Sequence, residues 1–188
     1  MSVIRIASRY AKSLIDLAKE RGTLDRIVED IEYFQAVCTE NGEFYRLLKS
    51  PIISSSKKAS IFKALFDDKF DQMSKGFLDI VVKKGRESYL PEIADEFMEQ
   101  YRRMNNITVA KLTSAVKLSD DVLEKIKTKL AASSATASKI ELTTEIDPSL
   151  IGGFVIEFED KLFDNSITHK LNKLQKEFGK NEGIRGLN

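Results

Sequence analysis

The sequence predicts an α+β fold: an N-terminal six-helix bundle followed by a small α/β domain with a short mixed sheet and two helices. Two observations point there. As far as residue 104 the apolar side chains recur at helical spacing, and after Asn105-Asn106 the period shortens to the alternation of strands. A third sets the scale: 188 residues, 42% hydrophobic and 31% charged, make a folded chain with room for one domain or two small ones. The expected boundaries are residues 1–105 for the bundle, 106–178 for the α/β domain and 179–188 for a frayed tail without apolar pattern.

The first stripe is Ala7, Tyr10, Ala11, Leu14, Leu17 and Ala18, closed by Gly22. The second is Leu24, Ile27, Val28, Ile31, Phe34 and Cys38, with Thr23 placed to cap it and Asn41-Gly42 to stop it. Phe44, Leu47 and Leu48 make a third helix that must end before Pro51. Ser54-Ser55-Ser56 offers caps for a fourth with Ile61, Phe62, Leu65 and Phe66. A fifth runs from about Asp71 to Lys84 and stops at Gly85; Gly76 inside it costs up to ~1 kcal/mol relative to Ala and marks an alternative, later start. The sixth carries Tyr89, Leu90, Ile93, Ala94, Phe97, Met98 and Tyr101, with Pro91 tolerated in its first turn.

Thr108 to Leu118 is rich in β-branched and small residues, the composition of a strand. Ser119-Asp120-Asp121 opens a helix with Val122, Leu123, Ile126 and Leu130, its acids at the positive end. After a loose stretch, Ala131 to Ser138, Lys139 to Ile146 alternates strictly, so a strand with one wet face is expected. Asp147-Pro148-Ser149 reads as a turn, Gly152-Gly153 as a bulge or sharp bend, and Phe154 to Glu159 with Lys161 to Phe163 as a hairpin. Asp164-Asn165-Ser166 then caps a last helix with Ile167, Leu171, Leu174 and Phe178 on one face.

Composition excludes several functions. The formal net charge is +1; residues 1–104 hold 18 basic and 17 acidic side chains, and residues 105–188 hold 12 of each. A protein that works by neutralising phosphates needs a basic surplus, so a nucleic-acid partner is not expected. One Cys and one His cannot build a disulfide or a Cys/His zinc site, and neither metal nor cofactor is expected. No apolar run approaches the ~18 residues of a bilayer span; the nearest, Phe77 to Val82, contains Asp79. Arg5, Arg9 and Lys12 with Ser2, Ser8 and Ser13, and no acid before Asp16, resemble an organellar targeting segment. The stripe continues through Leu17 and Ala18, so the segment is expected to belong to the first domain and the compartment to be the cytoplasm.

The inventory for chemistry is thin. His169 stands beside Lys170 on a polar face, Cys38 occupies an apolar helical position, and the two fall in different domains. Gly152-Gly153 lacks the pattern of a phosphate loop, and the carboxylates fall on polar faces. An enzyme is not expected. Binding is better served. The first helix has small residues (Ala7, Ala11, Ala18) that let another helix approach closely, and the fifth, Gly76 to Val82, is apolar on more than one face. Such a helix is either central in its bundle or lends a second face to a partner, and pattern alone favours the central position. Lys170, Lys173 and Lys176 on the last helix are read as a wetted face.

Ala7-Ser8-Arg9-Tyr10-Ala11-Lys12-Ser13-Leu14 resembles the first helix of the bacterial ATP synthase delta subunit family, which includes the mitochondrial oligomycin-sensitivity-conferring protein. Lys84-Gly85-Arg86 followed by Leu90-Pro91-Glu92-Ile93 and Phe97 is similar to that family's junction between the fifth and sixth helices. Asp147-Pro148-Ser149-Leu150-Ile151-Gly152-Gly153-Phe154-Val155-Ile156, then Asp164-Asn165-Ser166 with Leu171 and Leu174, resembles its C-terminal signature, apart from Asn165 where family members often have Gly. Order and spacing agree from about residue 3 to 178.

The resemblance implies a non-catalytic peripheral-stalk subunit, one copy per complex, that stops the catalytic head from turning with the rotor. It implies that the N-terminal domain holds N-terminal helices of alpha subunits in a groove between its first and fifth helices, through Tyr10, Ala11, Leu14, Phe77, Ile80, Val81 and Lys84. Gly85, Arg86, Pro91, Asp147, Pro148, Gly152, Gly153 and Asp164 are the structural signature. The C-terminal domain is implied to meet the b subunits, with the membrane reached only through the complex, at the cytoplasmic face of a bacterial cell membrane. Phe77→Asp or Leu14→Asp is then expected to weaken head binding while leaving the chain folded. The rival reading is a two-domain cytoplasmic adaptor or weak nucleic-acid module.

Overall fold

The computed structural model describes residues 3–131, 139–158 and 160–182, with backbone alone at Lys176 and at 178–182. Eight α-helices and one four-stranded sheet among these residues make the fold α+β. The chain divides into two compact units, Met1–Met104 and Asn105–Asn188.

The first unit contains α1 (Val3–Glu20), α2 (Leu24–Glu40), α3 (Gly42–Lys49), α4 (Ser55–Phe66), α5 (Gln72–Lys83) and α6 (Leu90–Met104), with a 3₁₀ turn (Glu87–Tyr89) before α6. Their stripes share one core, whose middle is a chain of rings: Phe34, Phe44, Phe62, Phe66 and Phe70, in tilted or edge-on pairs with centroids 4.6–6.1 Å apart. Each such pair is worth ~0.5–1.5 kcal/mol beyond the area it buries. Gly22 and Gly85 end α1 and α5 in left-handed backbone, φ +66° and +62°. In both, two N–H groups reach back to the last turn: Gly22 to Lys19 O and Thr23 to Ala18 O, Gly85 to Val82 O and Arg86 to Val81 O. That is the Schellman pattern, and only Gly adopts it without a Cβ penalty.

Several details depart from the sequence expectations. Thr23 precedes α2, but its hydroxyl makes no capping bond and is buried without a partner among the described residues. Asn41 does not simply stop α2; its side chain accepts the Glu43 and Phe44 N–H groups and so starts α3. Ser54 precedes α4 without a side-chain capping bond. Gly76 lies inside α5, which starts at Gln72 because the Asp71 side chain accepts the Met73 N–H. The small residues of α1 are occupied by the chain itself: Ala7, Ala11 and Ala18 are buried, and α1 packs most extensively on α6. Nor do all carboxylates lie on wet faces, since Asp30 and Glu87 are buried with basic partners.

The second unit contains β1 (Ile107–Ser114), α7 (Asp120–Ala131), β2 (Lys139–Ile146), a 3₁₀ turn (Pro148–Leu150), β3 (Phe154–Phe158), β4 (Lys161–Asp164) and α8 (Ile167–Glu182). Strand order is β2-β1-β3-β4, with β1 parallel to β2 and the other pairs antiparallel. The sheet is therefore mixed. Ala110, Leu112, Ile156 and Phe158 form its buried face, against which Leu123, Ile126 and Leu130 of α7 pack. The alternation of β2 buries less than expected: Ile140 and Leu142 are half-buried, whereas Thr144 and Ile146 are exposed at the sheet's edge.

Helix α8 differs most. Its expected apolar face is bare, with Ile167 43%, Leu171 52% and Leu174 49% exposed, because among the described residues no other element packs extensively along it. The Phe178 side chain lies outside the described residues. The expected tail from residue 179 is corrected in part: the helical backbone runs on to Glu182, since one Gly costs a helix only ~1 kcal/mol. Residues 183–188 and the loose stretch 132–138 lie outside the described residues.

Candidate partner-binding site

Helix α5 is tethered at both ends. At its start the buried Asp30 carboxylate, 3.1 Å from Arg26 Nη2, accepts the Asp71 N–H at 2.8 Å, and Arg26 also donates to the Lys69 carbonyl. Beyond its end, Glu87 is fixed from α4: Lys58 Nζ donates to Glu87 Oε1 at 3.1 Å and to the Leu48 carbonyl, in the last turn of α3, at 3.0 Å. Burial pushes the Glu87 carboxyl up, but its own backbone N–H, Lys58 and the Ser55 hydroxyl outweigh that and hold it below the usual range. These two buried carboxylates set the position of α5 and of the Gly85-Arg86 corner. Sequence reading missed them because a buried ion pair has no periodic signature.

Two helix flanks meet between the tethers. The Tyr10 and Phe77 rings pack edge to face with centroids 6.2 Å apart. Arg86 Nη1 donates to Tyr10 Oη at 3.0 Å, and its guanidinium lies 5.6 Å from the same ring centre. Leu14, one turn beyond Tyr10, lines a cavity of about 10 Å³ with Phe70, Ser74 and Phe77. On α5 the spacing Phe77, Ile80, Lys84 places three side chains on one outward ridge. Ile80 is 54% exposed, Lys84 is exposed and Phe77 is half-buried. A Cβ added at Gly76, one turn before Ile80, would meet nothing within 4 Å. That side of α5 is open to a partner's backbone.

The residues assigned to this face by resemblance therefore divide. Tyr10, Phe77, Ile80 and Lys84 are accessible; Ala11, Leu14 and Val81 are buried and set the spacing of the helices that carry the others. This corrects one expectation: with Leu14 2% exposed, Leu14→Asp puts a charge in the core and tests folding, not the surface. Pro91 stands in the first turn of α6, where no N–H is required of it.

The C-terminal signature has a geometric reason. Asp147 accepts the Ser149 N–H at 2.9 Å, which starts the turn through Pro148. Gly152 O accepts the Ile167 N–H and Phe154 O the Asn165 N–H, so the chain before β3 lies directly against the start of α8. There is no room for side chains there. A Cβ on Gly152 would come 2.6 Å from Ile167 Cδ1, and one on Gly153, at φ +79°, would collide with the Asn165 carbonyl. Asp164 accepts the Ser166 N–H, the Ser166 hydroxyl accepts the His169 N–H, and Thr168 Oγ1 donates to the Leu150 carbonyl. Hydrogen bonds from Ser149 and Ser166 hold the Asp147 and Asp164 carboxyls below their usual range. The motif is a clamp on the base of α8.

Cys38 has its thiol pushed up to about 12 by burial and by Asp95, so it is no nucleophile at neutral pH. His169 stands exposed 3.4 Å from Asp164. Among the described residues no cluster of His, Cys, Asp and Glu has metal-binding geometry, and no helix is long and apolar enough to cross a membrane.

Residues 6–178 match the family model described as ATP synthase delta (OSCP) subunit. The chain belongs to that family. It is 38% identical over 178 residues to the ATP synthase subunit delta of Cytophaga hutchinsonii, covering 95% of this chain and 96% of that one. The subunit delta of Amoebophilus asiaticus is 36% identical, with 94% and 96% covered. A chain in the cryo-EM structure of the Toxoplasma gondii mitochondrial ATP synthase hexamer shares the fold, at TM-score 0.69 and 23% identity, over 92% of this chain and 96% of its own. Family membership makes the chain a non-catalytic, stator subunit of a rotary ATP synthase, which displaces the adaptor and nucleic-acid readings.

Proposed function

We propose that this delta-family chain joins the catalytic head to the b subunits of a bacterial ATP synthase, one copy per complex, at the cytoplasmic face of the cell membrane. Residues 1–105 serve as a six-helix bundle that receives N-terminal helices of alpha subunits along the α1–α5 groove. Residues 106–178 meet the b subunits. The observation that carries the first assignment is the bare ridge of α5, with Ile80 exposed beside the Tyr10–Phe77 contact. A stator must resist torque through a long-lived contact, and an amphipathic helix laid in an apolar groove supplies ~25 cal/mol per Å² of burial without chemistry. The bare stripe Ile167, Leu171 and Leu174 on α8 supports the second assignment, because a helix with an uncovered apolar stripe lacks a partner.

The test is rebinding to heads stripped of delta. Ile80→Asp is expected to lose rebinding to the head, and Leu171→Asp to keep head binding but lose the b subunits, both with unchanged melting. Undiminished rebinding of Ile80→Asp refutes the assignment of the groove.

A further inference from the structure

We infer that the α1–α5 groove selects charge as well as apolar shape, and that the helix it receives carries acidic side chains over the Lys84–Arg86 end. This rests on the reading of the groove as the alpha-subunit site. Lys84 continues the ridge of Phe77 and Ile80 and is exposed, and Arg86 lies on the Tyr10 ring at the same end. Neither enters an ion pair among the described residues.

Acidic side chains on the incoming helix answer these two cations, and basic ones are rejected by like charge. The dipole of α5 accounts for a cation at Lys84 but not for Arg86, which lies beyond the helix.

The test uses the full chain and two peptides: the N-terminal segment of an alpha subunit, and the same segment with its Asp and Glu changed to Asn and Gln. The neutralised peptide is expected to bind about 10-fold more weakly at low salt, with the gap narrowing as salt screens the rim. Lys84→Glu, placed on the surface, is expected to shrink that gap while the melting temperature reports any effect on α5 itself. Equal affinity of the two peptides, or a gap untouched by Lys84→Glu, overturns the inference and leaves the groove assignment standing. Failure of the unmodified peptide to bind overturns the groove assignment and the inference with it.

Discussion

Lys58→Met severs the hub that holds the Gly85-Arg86 corner. The ammonium and the carboxylate it serves are almost fully buried, with side chains 3% and 8% exposed. Removing Nζ leaves the Glu87 carboxylate with only the Ser55 hydroxyl at 3.3 Å among side-chain partners, and its second oxygen already has none. It also strips the Leu48 carbonyl of its Lys58 donor. Breaking a buried pair from one side costs about 3–5 kcal/mol, because an unpaired charge stays behind. At ~4 °C or more per kcal/mol for a unit of this size, the melting temperature falls by at least about 12 °C. Lys58→Met with Glu87→Leu removes both charges and is expected to recover most of the loss. Differential scanning calorimetry of the singles and the double closes the cycle. The sign with pH follows from the lowered carboxyl: the pair stabilises above the ordinary Glu value of ~4.3 and ceases to as pH falls through the folded-state value, so the gap between wild type and Lys58→Met narrows in acid. A loss under about 1 kcal/mol, or a double variant equal to the sum of the singles, refutes the hub.

Gly153→Ala is expected to cost far more than Gly152→Ala by denaturant melts of the second unit, since the first meets backbone at a left-handed φ and the second only the flexible end of Ile167. Ile151→Gly is expected to raise stability by about 1 kcal/mol in the same assay, because Ile151 is exposed and holds φ +63°, ψ −37°, a conformation outside the left-handed helical region that a glycine adopts without a Cβ penalty and a β-branched residue does not. Ser74→Ala is expected to stabilise the first unit by about 1 kcal/mol, as its hydroxyl is buried beside the small cavity without a partner among the described residues.

Much of this fold was legible because its signals are local. The stripes of α1 to α6, the Gly22 and Gly85 stops, the strict alternation of β2 and the Asp164-Asn165-Ser166 cap each announce themselves within a few residues. What was not legible depends on which neighbour fills a space. Ala7 and Ala11 carry the small side chains a partner helix wants, but α6 takes that place. Leu171 and Leu174 repeat like core residues, and no pattern within α8 reveals that they stand half exposed. Asp30, Lys58 and Glu87 look like wet charges until α2, α3, α4 and the corner after α5 are brought together. In the candidate site, resemblance supplied the pair of helices, and burial separates the accessible Tyr10, Phe77, Ile80 and Lys84 from the supporting Ala11, Leu14 and Val81.

The most direct measurement is calorimetric titration of the full chain with a peptide from the N-terminus of an alpha subunit, for wild type and Ile80→Asp. One-to-one binding by the wild type, weakened at least about 10-fold by Ile80→Asp at unchanged melting temperature, is the predicted result. Equal binding by both proteins, or none by the wild type, contradicts it.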